Sequence, residues 1–299
     1  MPTFTWTNPI IDAYLADPFI AFHGGRWWLI ATGKAMDGRY LPIWSSADLR
    51  EWTFVRGAVE AGGIDAWNRF NFWAPELLHH QGKWWLYYTA KNVEHDKNES
   101  NRVGLAVADR VEGPYEDVGV VVDHASLDGS PFIDDDGQLW LYYVTDHGNA
   151  RGHAPGKIWV DRLVAPDRVA DQAVRLIDEH GWQEGPVIAP RNRGEPYRLT
   201  YSLGGWTNDT YRVTQAVGPR PDGPFAEDPD GILMRSTDAV KGPGHHNFFP
   251  GPDGKPWLIY HGWDPGMTAR YPRIDPMGRA ADGTLSSAAP TSVAQSVSW

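Results

Sequence analysis

Five stretches of this chain share one design, a glycine turn followed by an aromatic-rich run. They are "GGRWWLIAT" (24–32), "GKWWLYYTA" (82–90), "GQLWLYYVT" (137–145), "GEPYRLTYS" (194–202) and "GKPWLIYHG" (254–262). Their leading glycines stand 58, 55, 57 and 60 residues apart. Short runs rich in β-branched and aromatic residues, bounded by glycine, favour strands. Ahead of each turn lies another short apolar run: "DPFIAFH", "APELLHH", "SPFIDDD", "GPVIAPR" and "NFFPGPD". Strand, glycine turn, strand is a hairpin. "VEGPYED" (111–117) and "PDGPFAED" (221–228) echo each other two periods apart, and "SSADLREW" (45–52) reads as an outer strand of the first repeat. No segment carries a long apolar period of 3.6, so helices should be few and short. Five repeats of about four strands each predict an all-β, five-bladed β-propeller, one domain over residues 1–299. A β-sandwich would not recur at this interval, and solenoid coils are shorter.

That arrangement decides where the acids go. The first strand of each blade runs beside the central axis, so residues at its start gather at one funnel mouth. Proline marks a similar point in four repeats, at Pro18, Pro75, Pro131 and Pro186. Just upstream stand Asp17, Trp73, Asp128 and Glu184, and the fifth repeat offers His245 and His246 in "GPGHHNFF". Each has a bland reading alone: Asp17 and Asp128 as turn residues, Glu184 as a loop cap. Their recurrence at one position of a repeat argues for a shared cavity. Crowded carboxyls raise at least one pKa, leaving one acid protonated while another is ionised. Glycoside hydrolysis needs that division, one acid for the leaving oxygen and one base for water. Asp134, Asp135 and Asp136 precede Gly137 and read as turn chemistry, without the downstream glutamate a calcium loop requires.

Composition excludes several partners. The formal charge is −11 with no Lys/Arg cluster, so nucleic acid and anionic membranes are not expected. No apolar run approaches the roughly 18 residues that span a bilayer. Without a basic start and apolar core of a secretion signal, the N-terminus reads as cytoplasmic, or as secreted if the chain is a trimmed form. The absence of cysteine excludes disulfides and thiol catalysis. Sixteen tryptophans suit a surface that stacks on sugars, although indoles also simply pack well in sheets.

At these residues the sequence resembles glycoside hydrolase family 43, five-bladed enzymes that release arabinose or xylose from plant polysaccharides. The matching elements are "ADPFI", "FWAPELLHHQGKWWLYYTA", "LDGSPFIDDDGQLWLYY", "QEGPVI" and "GPGHHNFFPGPDGKPWLIYHG", which cover nearly the whole chain. The resemblance implies that Asp17 is the general base, Glu184 the general acid, and Asp128 a third carboxylate that tunes and orients the acid. It implies inversion in a single displacement, which needs base and acid roughly 6.5–9.5 Å apart. Trp73 would wall the sugar pocket, and His245 would lie near the axis, where some members hold calcium or another ion through waters. No cofactor is required. A pocket arginine is implied within "TARYPRIDPMG", where Arg270 and Arg273 both fit and Arg273 is favoured. Gly129 stands where the family more often has proline or alanine, and the extra β-sandwich of many family β-xylosidases is missing. The expected activity is exo-acting α-L-arabinofuranosidase on arabinan or arabinoxylan oligosaccharides. The alternatives are β-D-xylosidase, endo-arabinanase, a related fructan or sucrose hydrolase, and a non-catalytic sugar-binding propeller. Distinct axial residues in each repeat speak against the last.

Overall fold

The computed structural model describes residues 1–148, 151–178, 181–228 and 230–299. Five antiparallel sheets follow one another along the chain, over residues 16–59, 70–120, 126–175, 183–227 and 241–287. Each is a meander of four strands, with one extra short strand in the third. Their first strands touch in succession, and the last meets the first, which closes a ring: the five-bladed β-propeller. No helix occurs among the described residues.

The aromatic runs form the second strand of every blade, and they are buried on both faces. Along Lys83–Lys91, Leu86 and Tyr88 face the first blade while Tyr87 faces the third. Along Leu139–Thr145, Leu141 and Tyr143 turn one way and Tyr142 and Val144 the other. A strand's side chains alternate between faces, so a strand flanked by two blades reads as continuously apolar. The five core clusters are therefore the five seams between blades. Each fully buried Leu or Tyr in a seam contributes roughly 1.5–3 kcal/mol of apolar burial.

The chain ends meet. Thr3–Trp6 pairs antiparallel with Gln295–Ser298, and Asn8 exchanges hydrogen bonds with the backbone of Ile274 at 2.9 Å each. The closing segment thus splits: Leu285–Ser287 is the outer edge of the last blade, and the tail returns to the start of the chain.

The acidic turn behaves as expected and does slightly more. Asp134 accepts the Asp136 and Gln138 N–H groups at 3.0 and 2.9 Å. Asp135 binds Arg191 of the next blade at 2.7 Å, so the turn also ties two blades together.

Candidate active site

Each inner strand is bulged, with one register shift against the second strand in the first, third and fourth blades and two in the second and fifth. Asn71 (φ 55) and Gly242 (φ 45) are left-handed in the second and fifth blades, and at the position common to all five blades stand Asp17 (φ 48), Ala74 (φ 47), Asp128 (φ 58), Gly185 (φ 53) and His245 (φ 46). These five are the true equivalents, because a bulge adds a residue and re-aims its neighbours. The proline alignment is corrected accordingly. Trp73 and Glu184 sit one residue earlier in the repeat than Asp17, Asp128 and His245, and Gly129 rather than Pro131 matches Pro18. Gly129 has a steric cause: a Cβ there would lie 2.4 Å from Val103 Cγ1.

The bulges bring Asp17, Trp73, Asp128, Glu184 and His245 to one cavity of about 950 Å³. His245 Nδ1 lies 3.5 Å from an Asp17 oxygen and 3.8 Å from an Asp128 oxygen, so both carboxyls address one ring nitrogen. Asp128 Oδ2 accepts the N–H of Gly185, the residue after Glu184, at 2.9 Å. Glu184 accepts hydrogen bonds from Trp182 Nε1 at 2.5 Å and from the Tyr211 hydroxyl at 2.8 Å. Asp17 Oδ2 accepts the Thr32 hydroxyl at 2.6 Å, and Oδ1 faces Arg270 and His261 at 3.4 and 3.1 Å.

The environments drive the acids apart. Burial would raise Asp17, but His245, Arg270 and His261 outweigh it and hold the carboxyl well below the usual range. Burial pushes His245 itself down, so near neutrality Arg270 is the lasting cation beside Asp17. Burial pushes Glu184 up to about 7, against the Tyr211 and Trp182 hydrogen bonds, with Asp17 adding repulsion. Asp128 is raised by burial and then by Glu184 and Asp17. One carboxylate stays ionised while a neighbouring pair can hold a proton near neutral pH.

The two arginines separate. Arg270 lines the cavity, donates to the Tyr14 hydroxyl at 2.8 Å, and packs over Trp206 at 4.7 Å. Arg273 does not line it; its guanidinium reaches the Thr291 carbonyl at 3.3 Å. The preference for Arg273 is thus overturned. Three residues apart on a regular strand, the two side chains must project from opposite faces.

Sequence reading missed Thr32, Tyr211, Trp182, Tyr14, Asn98, His147 and Trp206, all at or beside the cavity. One signal was present. Each quoted aromatic run ends near a Thr, Ser or His: Thr32, Thr89, Thr145, Ser202 and His261.

As to an ion, His245 is a single nitrogen donor already turned toward two carboxylates. Among the described residues no group of three or more His, Cys, Asp or Glu side chains could hold a metal. Calcium takes six to eight oxygen ligands, so these residues do not form its cage, and no step below runs through one.

Comparison with known proteins agrees with this geometry. A β-D-galactofuranosidase of Aspergillus niger is 27% identical over 89% of this chain and 79% of its own length. An extracellular endo-α-(1→5)-L-arabinanase of Thermotoga petrophila is 26% identical over 79% of this chain, which spans about half (54%) of that protein. The crystal structure of a thermostable family-43 glycoside hydrolase superposes with a TM-score of 0.83 at 25% identity, covering 96% of this chain and 97% of that one. The sequence model described as "Glycosyl hydrolases family 43" matches residues 6–285. The chain belongs to glycoside hydrolase family 43 and is an inverting glycosidase.

Proposed function

We propose that this enzyme is an exo-acting α-L-arabinofuranosidase that removes terminal arabinofuranosyl groups from arabinan or arabinoxylan oligosaccharides. The supporting observation is the shape of the cavity wall. Tyr14 precedes the first blade, Lys34 comes from the first blade, Asn98 from the second, His147 from the third, Trp206 from the fourth and Arg270 from the fifth. A cavity walled by every blade suits a chain end better than a polymer passing through. Relatives support the ring size. The Aspergillus protein is a furanosidase by name. A (1→5)-linked arabinose, as in the substrate named for the Thermotoga protein, has its O5 in the linkage and must close its ring as a furanose.

In this reading the sugar lies between Asp17 and Glu184, stacked on Trp73. Water attacks the anomeric carbon from the Asp17 side, and Asp17 takes its proton. The bond to the leaving oxygen breaks as Glu184 delivers its proton there. Asp128 adjusts Glu184, and Arg270 keeps Asp17 ionised and oriented. A panel of arabino- and xylo-oligosaccharides tests the assignment. Release of single arabinose units from chain ends is expected. Faster release of xylose would replace it with β-D-xylosidase, and internal cleavage with endo-arabinanase.

A further inference from the structure

The bulge in each inner strand leaves a backbone N–H pointing at the seam with the preceding blade. In four seams a side chain at the end of that blade's second strand accepts it. Ala74 N–H goes to Thr32 at 2.7 Å, Asp128 N–H to Thr89 at 3.0 Å, His245 N–H to Ser202 at 2.8 Å, and Asp17 N–H to His261 at 3.1 Å. At the remaining seam Thr145 turns away to the Ala154 carbonyl at 2.6 Å, and the Gly185 N–H goes to the Asp128 carboxylate instead.

One of these acceptors passes the bond onward. A hydroxyl that accepts a fixed N–H has its own proton aimed elsewhere. Thr32 donates to Asp17 Oδ2 at 2.6 Å. On the acid side, the Tyr211 hydroxyl donates to Glu184 Oε2 at 2.8 Å. The Thr32 chain starts at a backbone atom of the neighbouring blade, so its direction is set by the seam.

We propose that Thr32, held by the seam between the first two blades, and Tyr211 are positioning residues that fix the orientation of the base and acid carboxyls. The inference rests on the roles of Asp17 and Glu184 given under the proposed function. Packing alone would hold these hydroxyls in place; each adds a defined donor to one oxygen of its carboxyl, while Arg270 and Trp182 address the other oxygen of Asp17 and Glu184 respectively. On the acid, the donated bond favours the ionised form and so limits how far burial raises Glu184.

The test uses four variants assayed on nitrophenyl α-L-arabinofuranoside and an arabino-oligosaccharide, with melting curves to confirm folding. Thr32→Val should lower kcat by roughly 10- to 100-fold at nearly unchanged KM, while Thr32→Ser restores it. Tyr211→Phe should move the alkaline limb of kcat/KM upward by about one pH unit, since a lost charge-assisted bond is worth about one unit of pKa. It should also slow the oligosaccharide more than an activated dinitrophenyl glycoside, whose leaving group needs little acid help. A folded Thr32→Val with parental kcat, or an unmoved limb in Tyr211→Phe, would overturn the inference. Glu184→Gln separates the two failures. If it retains full oligosaccharide activity, the assignment of the acid falls; if it is inactive and the seam variants behave like the parent, only the relay falls.

Discussion

The backbone N–H of Gly185 donates to Oδ2 of Asp128 at 2.9 Å, linking the third carboxylate to the residue adjoining Glu184. Gly185 adopts φ +53, and a Cβ there would sit 3.3 Å from the His245 ring. The bulge position next to Glu184 is the one of the five that carries glycine. It lets two carboxyls and an imidazole approach within one cluster, where burial raises Asp128 and Glu184 together and the Glu184 and Asp17 charges raise Asp128 further.

That coupling gives a pH profile. Glu184 must be protonated to act, and burial holds it near 7, so kcat/KM on oligosaccharides should fall about tenfold per pH unit above that point. Asp17 stays ionised far into acid, so loss at low pH should track unfolding by circular dichroism rather than base titration. Asp128→Asn alters the carboxyl that accepts the Gly185 N–H beside Glu184 and should cost roughly 100-fold in kcat/KM.

Arg270 and Arg273 should differ sharply in function. Arg270→Ala removes the cation facing Asp17 and a cavity wall, and should lower kcat/KM by roughly 100-fold or more. Arg273→Lys should leave kcat/KM within a few-fold of the parent and lower the melting temperature. Steady-state kinetics with thermal melts on both variants checks this pair.

Glu76 is a buried acid on an inner strand, two residues past the bulge, and accepts a hydrogen bond from the Ser130 hydroxyl at 2.9 Å. Burial raises it to about 8. The folded state therefore holds a proton that the unfolded chain has released. The resulting stability is complete below the unfolded carboxyl value and is lost as pH rises through about 8. Glu76→Gln cannot ionise. It should melt like the parent at acid pH and exceed its stability by on the order of 2 kcal/mol at pH 9; parallel melting curves across pH would contradict this.

Gly129 and Val103 should behave as a coupled pair. Gly129→Ala alone drives a methyl into Val103 and should cost roughly 1–3 kcal/mol. Adding Val103→Ala opens the space, so the double variant should be more stable than the sum of the single effects. Urea unfolding of all four proteins completes the cycle.

Much of this was legible in the sequence because a propeller writes its fold as a period. Turn glycines every 55 to 60 residues located all five blades and sent Asp17, Asp128, Glu184 and His245 to one cavity. The one-residue offset of Trp73 and Glu184 was hidden, since a bulge adds a residue without any fixed sequence mark. Arg270 and Arg273 share one short motif, and only strand parity tells them apart. Thr32 stood visibly at one position of the repeat, but its role depends on a hydrogen bond from another blade. Tyr211 follows a loop and has no counterpart in the repeated runs.

The most direct measurement is proton NMR of the first sugar released from an α-L-arabinofuranoside, recorded before the anomers equilibrate. An ionised Asp17 and a protonated Glu184 acting on opposite faces of the ring produce β-arabinofuranose first. Initial appearance of the α anomer would contradict that arrangement.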